Sequence, residues 1–225
     1  MFRLILIVLF LFSGPVVAQQ ETGVITMRGT GHVAVKPDMA TFTVGVEVQA
    51  PTADRALRLN SVRMKEVFAL LEDRGIAARD IQTSQFSVHP QWNNQTSLNR
   101  PLEITGFVAT NTVQVRIRDL ALLGSVLDSL TKSGANRIQG VRFTVANPAP
   151  HLDEARKKAL TEASRKAKLF ADAAGVSLGV VLSIQEGGAT PSPVYRMEAA
   201  MSGGAPIAEG EQTLSADVTI RYAIK

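Results

Sequence analysis

The sequence predicts an α+β fold: an antiparallel or mixed sheet with about three helices packed on one face, built from a duplicated strand–helix–strand unit. Three observations carry this prediction. Several stretches alternate apolar and polar residues with period two, the mark of strands with one covered face. A fully buried parallel sheet would instead read as unbroken apolar runs. Between the strands lie stretches whose apolar residues recur at three-and-four spacing, as on a helix. Proline opens two of these stretches and glycine closes each of them.

The first residues have the form of an export signal. One basic residue, Arg3, precedes the apolar run Leu4–Phe12, which Ser13, Gly14 and Pro15 break. Val16 and Ala18 stand where a signal peptidase takes small residues, so residues 1–18 read as a leader and Gln19 as the first mature residue. The run is short of the roughly 20 residues a membrane span needs. The mature chain is expected to be one domain, 19–225, without a membrane span.

The stretch Arg28-Gly29-Thr30-Gly31-His32 comes next, and its Gly-x-Gly resembles a phosphate-binding turn. A dinucleotide fingerprint needs a third glycine in step and a helix to follow. Here the glycines lead through Pro37 into a strand, so they are expected to bend the chain rather than hold a ligand. In that strand Ala40, Phe42, Val44, Val46 and Val48 face one way, and Thr41, Thr43, Gly45, Glu47 and Gln49 the other.

After Pro51 a helix places Ala53, Leu57, Asn60, Met64, Val67 and Leu71 on one stripe, and Gly75 ends it. Asn60 is a polar residue in an apolar stripe. A buried amide must find partners, which are either the backbone of a neighbouring strand or a ligand. Val113, Val115 and Ile117 mark another strand. Asp119 is the candidate N-cap of a second helix with Leu123, Val126, Leu127 and Leu130 inward and Gly134 at its end. Val141, Phe143 and Val145 read as a strand. A third helix follows Pro150, with Asp153 and Glu154 in its expected first turn, where the helix dipole favours acids, and Gly175 at its end. The last strand is the clearest: Leu214, Ala216, Val218, Ile220, Tyr222 and Ile224 alternate with Ser215, Asp217, Thr219 and Arg221.

The stretches beginning at Phe42 and Phe143 echo each other, each running from a strand through a Pro-opened helix to Gly-Ile or Gly-Val. Residues 93–101 read as a polar loop between strands. Residues 187–211, rich in Gly, Pro, Ala and Met, are long for a connection and are expected to be mobile.

The third helix carries two unusual faces. Ala155, Ala159, Ala163, Ala167 and Ala171 form a ridge without side-chain relief, so the backbone of the sheet or of the first helix can approach closely. Arg156, Lys157, Lys158, Arg165, Lys166 and Lys168 make the helix strongly basic. Such a face is ordinarily solvated, and contact with anionic envelope lipid or polysaccharide is its alternative use. Nucleic acid is not expected, because no aromatic residues interleave with the charges.

Composition narrows the chemistry. The chain has 225 residues, 45% of them hydrophobic, and a formal net charge of +4, so charge argues only weakly for anionic partners. It contains no cysteine, hence no disulfide and no thiolate chemistry. His32, His89 and His151 stand far apart in sequence and form no metal-binding spacing. No Gly-x-Ser-x-Gly nucleophile elbow is present. No catalytic, cofactor-binding or metal-ligating residue is therefore assigned and no cofactor is expected. Trp92, the single tryptophan, stands beside the polar run Asn93-Asn94-Gln95. It is either an interface anchor or folded back on its own domain.

Taken in order, these segments resemble the bacterial SIMPL-domain proteins. The stretch from Gly29 to Val48, with Gly-x-Gly, Pro-Asp and an alternating strand, is similar to that family's opening. The stretches Ala53–Trp92, Ile104–Leu130, Glu154–Val176 and Pro206–Ile224 are similar to its first helix and following strand, its central strand and helix, its Ala-rich helix and its closing strand. The resemblance implies a periplasmic or outer-membrane-associated protein of the type called immunogenic protein, outer-membrane antigen or oxidative-stress defence protein. It implies no catalytic motif, and some relatives assemble into rings. The expected function is that of an exported, non-enzymatic, self-associating envelope protein that supports oxidative-stress resistance by scaffolding or binding. The alternative is an enzyme or small-ligand binder whose site the sequence does not show.

Overall fold

A computed structural model describes residues 23–93, 102–187, 190–192 and 208–225. The class is α+β, and the strands part into two antiparallel four-stranded sheets. The elements in order are β1 (Val24–Val35), β2 (Met39–Ala50), α1 (Ala53–Asp73), β3 (Ile81–Trp92), β4 (Ile104–Ile117), α2 (Leu123–Lys132), β5 (Arg137–Thr144), α3 (Ala149–Ala174), β6 (Leu178–Glu186), β7 (Thr190–Ser192) and β8 (Gln212–Ile224).

The larger core lies between one sheet, ordered β3-β4-β2-β5, and the helices α1 and α2. The run β2-α1-β3-β4-α2-β5 is a βαββαβ unit of the ferredoxin-like kind. Alternation decides which side chains meet. The inward set of β2 is buried from Ala40 to Val48, and Val113, Val115 and Ile117 of β4 lie in register beside it. On α1 the buried stripe is Ala56, Asn60, Met64, Val67 and Leu71. It is rotated slightly from the expected stripe, so that Leu57 is left at the surface. The N-terminus of α1 is closed by Thr52, whose hydroxyl accepts from the Arg55 amide at 3.3 Å. Gly75 and Gly175 end α1 and α3 with φ of 76° and 69°, the left-handed conformation that favours glycine.

Three local expectations are corrected. Asp119 does not cap α2. It caps a short 3₁₀ turn, Leu120–Leu122, by accepting from the Ala121 amide at 3.1 Å, and α2 follows. Asp153 and Glu154 are not first-turn acids, because α3 starts at Ala149. They pair instead with Arg156 and Lys158 at 2.7 and 2.8 Å, one turn along the same helix. Val141 and Phe143 do not share one buried face. Phe143 and Ile138 both pack on the core, an odd spacing that requires a bulge, and Gly140 provides it with φ of 66°.

The second sheet is built by β1, β8 and β6, with β7 prolonging the β6 side along β8. Its strands come from the two ends of the chain: Val24 pairs with Ala223 and Val35 with Gln212. α3 covers one face of this sheet. The echo between the stretches at Phe42 and Phe143 thus survives as an order of elements, used in two ways. The first unit returns to its own sheet, whereas the second carries the chain from β5 in one sheet to β6 in the other. Within the expected loop 187–211, Thr190–Ser192 form β7, while 188–189 and 193–207 lie outside the described residues. Most of the loop expected at 93–101 lies outside them too.

The glycine pair does not bend the chain. Gly29 and Gly31 are regular members of β1, opposite Val218 and Ala216 of β8, and the chain leaves the sheet only at Lys36-Pro37-Asp38. Both glycines are buried under the alanine ridge of α3, whose five alanines are at most 1% exposed. A methyl group on Gly29 would overlap the Ala159 carbonyl and the Ala163 amide. One on Gly31 would overlap the Ala155 carbonyl and stand 2.6 Å from the Ala159 amide nitrogen. The ridge partner is therefore the sheet, and small residues on both sides allow backbone to meet backbone.

Gly29→Ala and Gly31→Ala should each destabilise the protein by about 2 kcal/mol, because neither the strand nor the helix backbone can yield locally. Gly124→Ala, in α2 with nothing within 4 Å of the added methyl, should be neutral or stabilising by about 0.5 kcal/mol. Urea melts of the three variants check this ordering.

Candidate functional site

Asn60 lies in the fully buried stripe of α1, where its side-chain amide donates to the Val46 carbonyl at 2.7 Å and the Ala109 carbonyl at 3.1 Å. These carbonyls belong to the neighbouring strands β2 and β4, so one side chain ties the helix to both. Its Oδ1 is buried and has no protein partner. Of the two roles open to Asn60, the backbone one is filled.

The three histidines lie on three elements: His32 on β1, His89 on β3 and His151 on α3. Among the described residues no group of three His, Asp or Glu side chains could hold a metal ion. One constellation is suggestive by position. On the outer face of the second sheet His32 stands opposite Ser215, and Asp217 is the next residue of β8 on that face. Asp217, however, is already engaged: Arg28 pairs with it at 2.9 Å and Thr30 donates to it at 2.6 Å. The hydrogen bonds from Arg28 and Thr30 hold its carboxyl below the usual carboxylate range. This is a cross-strand polar cluster in which the carboxylate serves the arginine and the threonine.

The basic residues of α3 are mostly paired. Arg156 bonds Glu186 and Asp153, Lys158 bonds Glu154, Arg165 and Lys166 share Glu162, and Lys168 reaches Asp172. The Arg165 hydrogen bonds pull the Glu162 carboxyl down to about 2. Two lysines also reach the edge of the second sheet: Lys158 donates to the His32 carbonyl at 3.4 Å and Lys166 to the Arg28 carbonyl at 3.3 Å. They occupy the outer carbonyls of β1 and so blunt that edge against pairing. Sequence reading missed this role because it depends on which strand α3 covers.

The remaining edges differ. β5 is bulged at Gly140 and flanked by Arg137 and Arg142. β6 is irregular, with register shifts on either side of Val181. β3, the other edge of the first sheet, carries no Lys, Arg, Asp or Glu. A bulge near Ser84 and Pro90 bound its open stretch, Gln85–His89. Phe86 in that stretch is 57% exposed. At its end Trp92 is 49% exposed, opposite the half-exposed Ile104. Trp92 is thus half-exposed on an uncharged sheet edge.

A second feature is a cleft of about 250 Å³ between α3 and β6, lined by Arg156, Lys157, Leu160, Ile184, Glu186 and Val218. α3 lies over β1 and β8 and leaves β6 uncovered, so Ile184 is 56% exposed although its register partner Ile220 is buried. No described helix is long and apolar enough to cross a membrane.

Comparison with known proteins adds the family. The model of the SIMPL family, a protein of unknown function (DUF541), matches residues 25–222. The chain belongs to the SIMPL family. The match runs from the second residue of β1 to Tyr222 near the end of β8, so both sheets and all three helices fall within the SIMPL unit. The 26 kDa periplasmic immunogenic protein of Brucella melitensis is 34% identical over 230 residues, covering 95% of this chain and 92% of that protein. The uncharacterized protein YggE of Escherichia coli K12 is 33% identical over 175 residues, covering 77% of this chain and 70% of that protein. YggE of Edwardsiella ictaluri is 34% identical over 178 residues, covering 78% and 74%.

Two further SIMPL-unit residues invite test. Asp80, 5% exposed, receives two hydrogen bonds from Arg118 at 3.0 and 2.7 Å, which hold its carboxyl below the ordinary value. A depressed folded pKa gives stability that is present above the unfolded value of about 3.9 and is lost as pH falls through the folded one. The stability difference between wild type and Arg118→Met, read by urea melts, should hold from pH 7 to 5 and shrink below pH 4. Asn60→Asp should cost about 3 kcal/mol at pH 7, because it sets a buried carboxylate against two carbonyl oxygens.

Proposed function

We propose that this chain is an exported envelope protein of the periplasm that works by self-association, as a non-enzymatic scaffold supporting resistance to oxidative stress. The observation that carries the reading is the β3 edge. Three edges of the two sheets are blunted by lysines, by a glycine bulge with arginines, or by register shifts. β3 is uncharged over its whole length and displays Phe86 and Trp92 to solvent. An exposed strand edge without charges is a template for pairing with another chain, and aromatic anchors are the residues that hold such contacts.

The location draws on the name of the Brucella relative, a periplasmic protein that covers nearly the whole chain, and on the leader-like residues 1–18. The stress role draws on the family resemblance of the sequence. The partner this edge suits is a second copy, paired along Gln85–His89 with Trp92 at the rim.

Light scattering coupled to gel filtration tests the reading at micromolar concentration and physiological salt. Wild type should run well above the 24.1 kDa of one chain. Phe86→Lys combined with Trp92→Ala should run as a monomer with an unchanged circular dichroism spectrum. In a deletion strain, wild type should restore peroxide survival and the double variant should not. A monomeric wild type would end the self-association reading. Full rescue by a monomeric double variant would separate the stress role from it.

A further inference from the structure

The cleft between α3 and β6 has a chemistry that the edge reading leaves unused. Its floor is apolar: Leu160 from the helix, Ile184 from β6 and Val218 from β8. The floor exists because α3 is seated toward β1 by the alanine ridge and cannot also cover β6. Ile184 is left 56% exposed on the helix side of the sheet. Farther along, Val181 pairs with Tyr222, whose hydroxyl bonds Ser164 of α3, so the uncovered apolar strip continues beyond the cleft.

The rim is charged. Glu186 also lines the cleft, but its carboxylate is occupied by Arg156 at 2.7 Å, which closes one end as a strap from helix to strand. Arg156 is itself shared with Asp153. Lys157 lines the cleft and forms no ion pair among the described residues. The cleft therefore combines an apolar floor with one exposed cation that is in no ion pair among the described residues. At about 250 Å³ the cleft is below the usual range for drug-sized ligands, so the end of a longer chain would lie on the exposed strip at Val181.

We propose that this cleft binds a free medium-chain fatty carboxylate, its tail on Leu160, Ile184 and Val218 and its head on Lys157. The tail would cover the exposed Ile184, and the head would give Lys157 a contact ion pair. A neutral ligand would leave Lys157 unanswered, and a cationic one would be repelled by it.

Decanoate, below its micelle-forming concentration, is the probe, and amide chemical shifts of the purified protein are the readout. Saturable shifts are expected at Leu160, Ile184 and Val218, with little effect at β3. Decyltrimethylammonium, equal in tail and opposite in charge, should not reproduce them. Lys157→Glu should weaken decanoate binding about tenfold, since it replaces an attraction by a repulsion. Ile184→Asp, at a half-exposed position the fold does not depend on, should abolish it while leaving the remaining spectrum in place. Equal binding of the two amphiphiles, unchanged affinity in Lys157→Glu, or shifts that do not saturate would each overturn the proposal. Light scattering of Lys157→Glu should match wild type, which keeps this result separate from self-association.

Discussion

The contact between the alanine ridge of α3 and the glycines of β1 sets the layout of the second sheet. Five alanines at four-residue spacing give a helix face with no relief, and Gly29 and Gly31 give a strand face with none. Together they let α3 settle over β1 and β8 at a separation that larger side chains would forbid. The consequences spread outward. Lys158 and Lys166 come within reach of the β1 carbonyls and blunt that edge. β6, on the far side, is left uncovered, and the cleft beside Ile184 is what remains. Most of the basic residues of α3 pair with acids of the same helix or with Glu186, or reach the carbonyls of a strand edge.

The first sheet obeys a different rule. Its core is large side chains, Phe42, Met64, Leu71 and Leu130 among them, and the helix is registered by one polar group. Asn60 reaches the Val46 and Ala109 carbonyls, so α1 can sit at only one height over β2 and β4. An apolar residue there would pack but would not choose a position. The two layers thus solve one problem, seating a helix on a sheet, by size complementarity in one case and by a buried hydrogen bond in the other.

Much of this was legible in the sequence, for physical reasons. Period two in β2 and β8 and the four-residue alanine repeat in α3 report which face is buried, and the structure places those faces inward. Gly75 and Gly175 announce helix ends because few other residues take a left-handed backbone. Periodicity does not report partners. That β1 pairs with β8, nearly the whole chain away, decides that there are two sheets, and no local pattern carries it. The glycine pair is ambiguous for the same reason. Glycine serves both turns and close approaches, and only the facing element tells them apart. Trp92 could be picked out as the single tryptophan, but its exposed place on an uncharged edge came from the pairing of β3, and the cleft came wholly from how α3 is seated.

Native-state hydrogen exchange on wild type and Gly31→Ala tests the seating of α3 most directly. If the glycines exist to receive the ridge, the amides of α3, β1 and β8 in wild type open together with one free energy. In Gly31→Ala all three should lose protection together, while β2 and β4 keep theirs. An α3 that exchanges independently of β1 in wild type, or that keeps its protection in Gly31→Ala, would contradict the account.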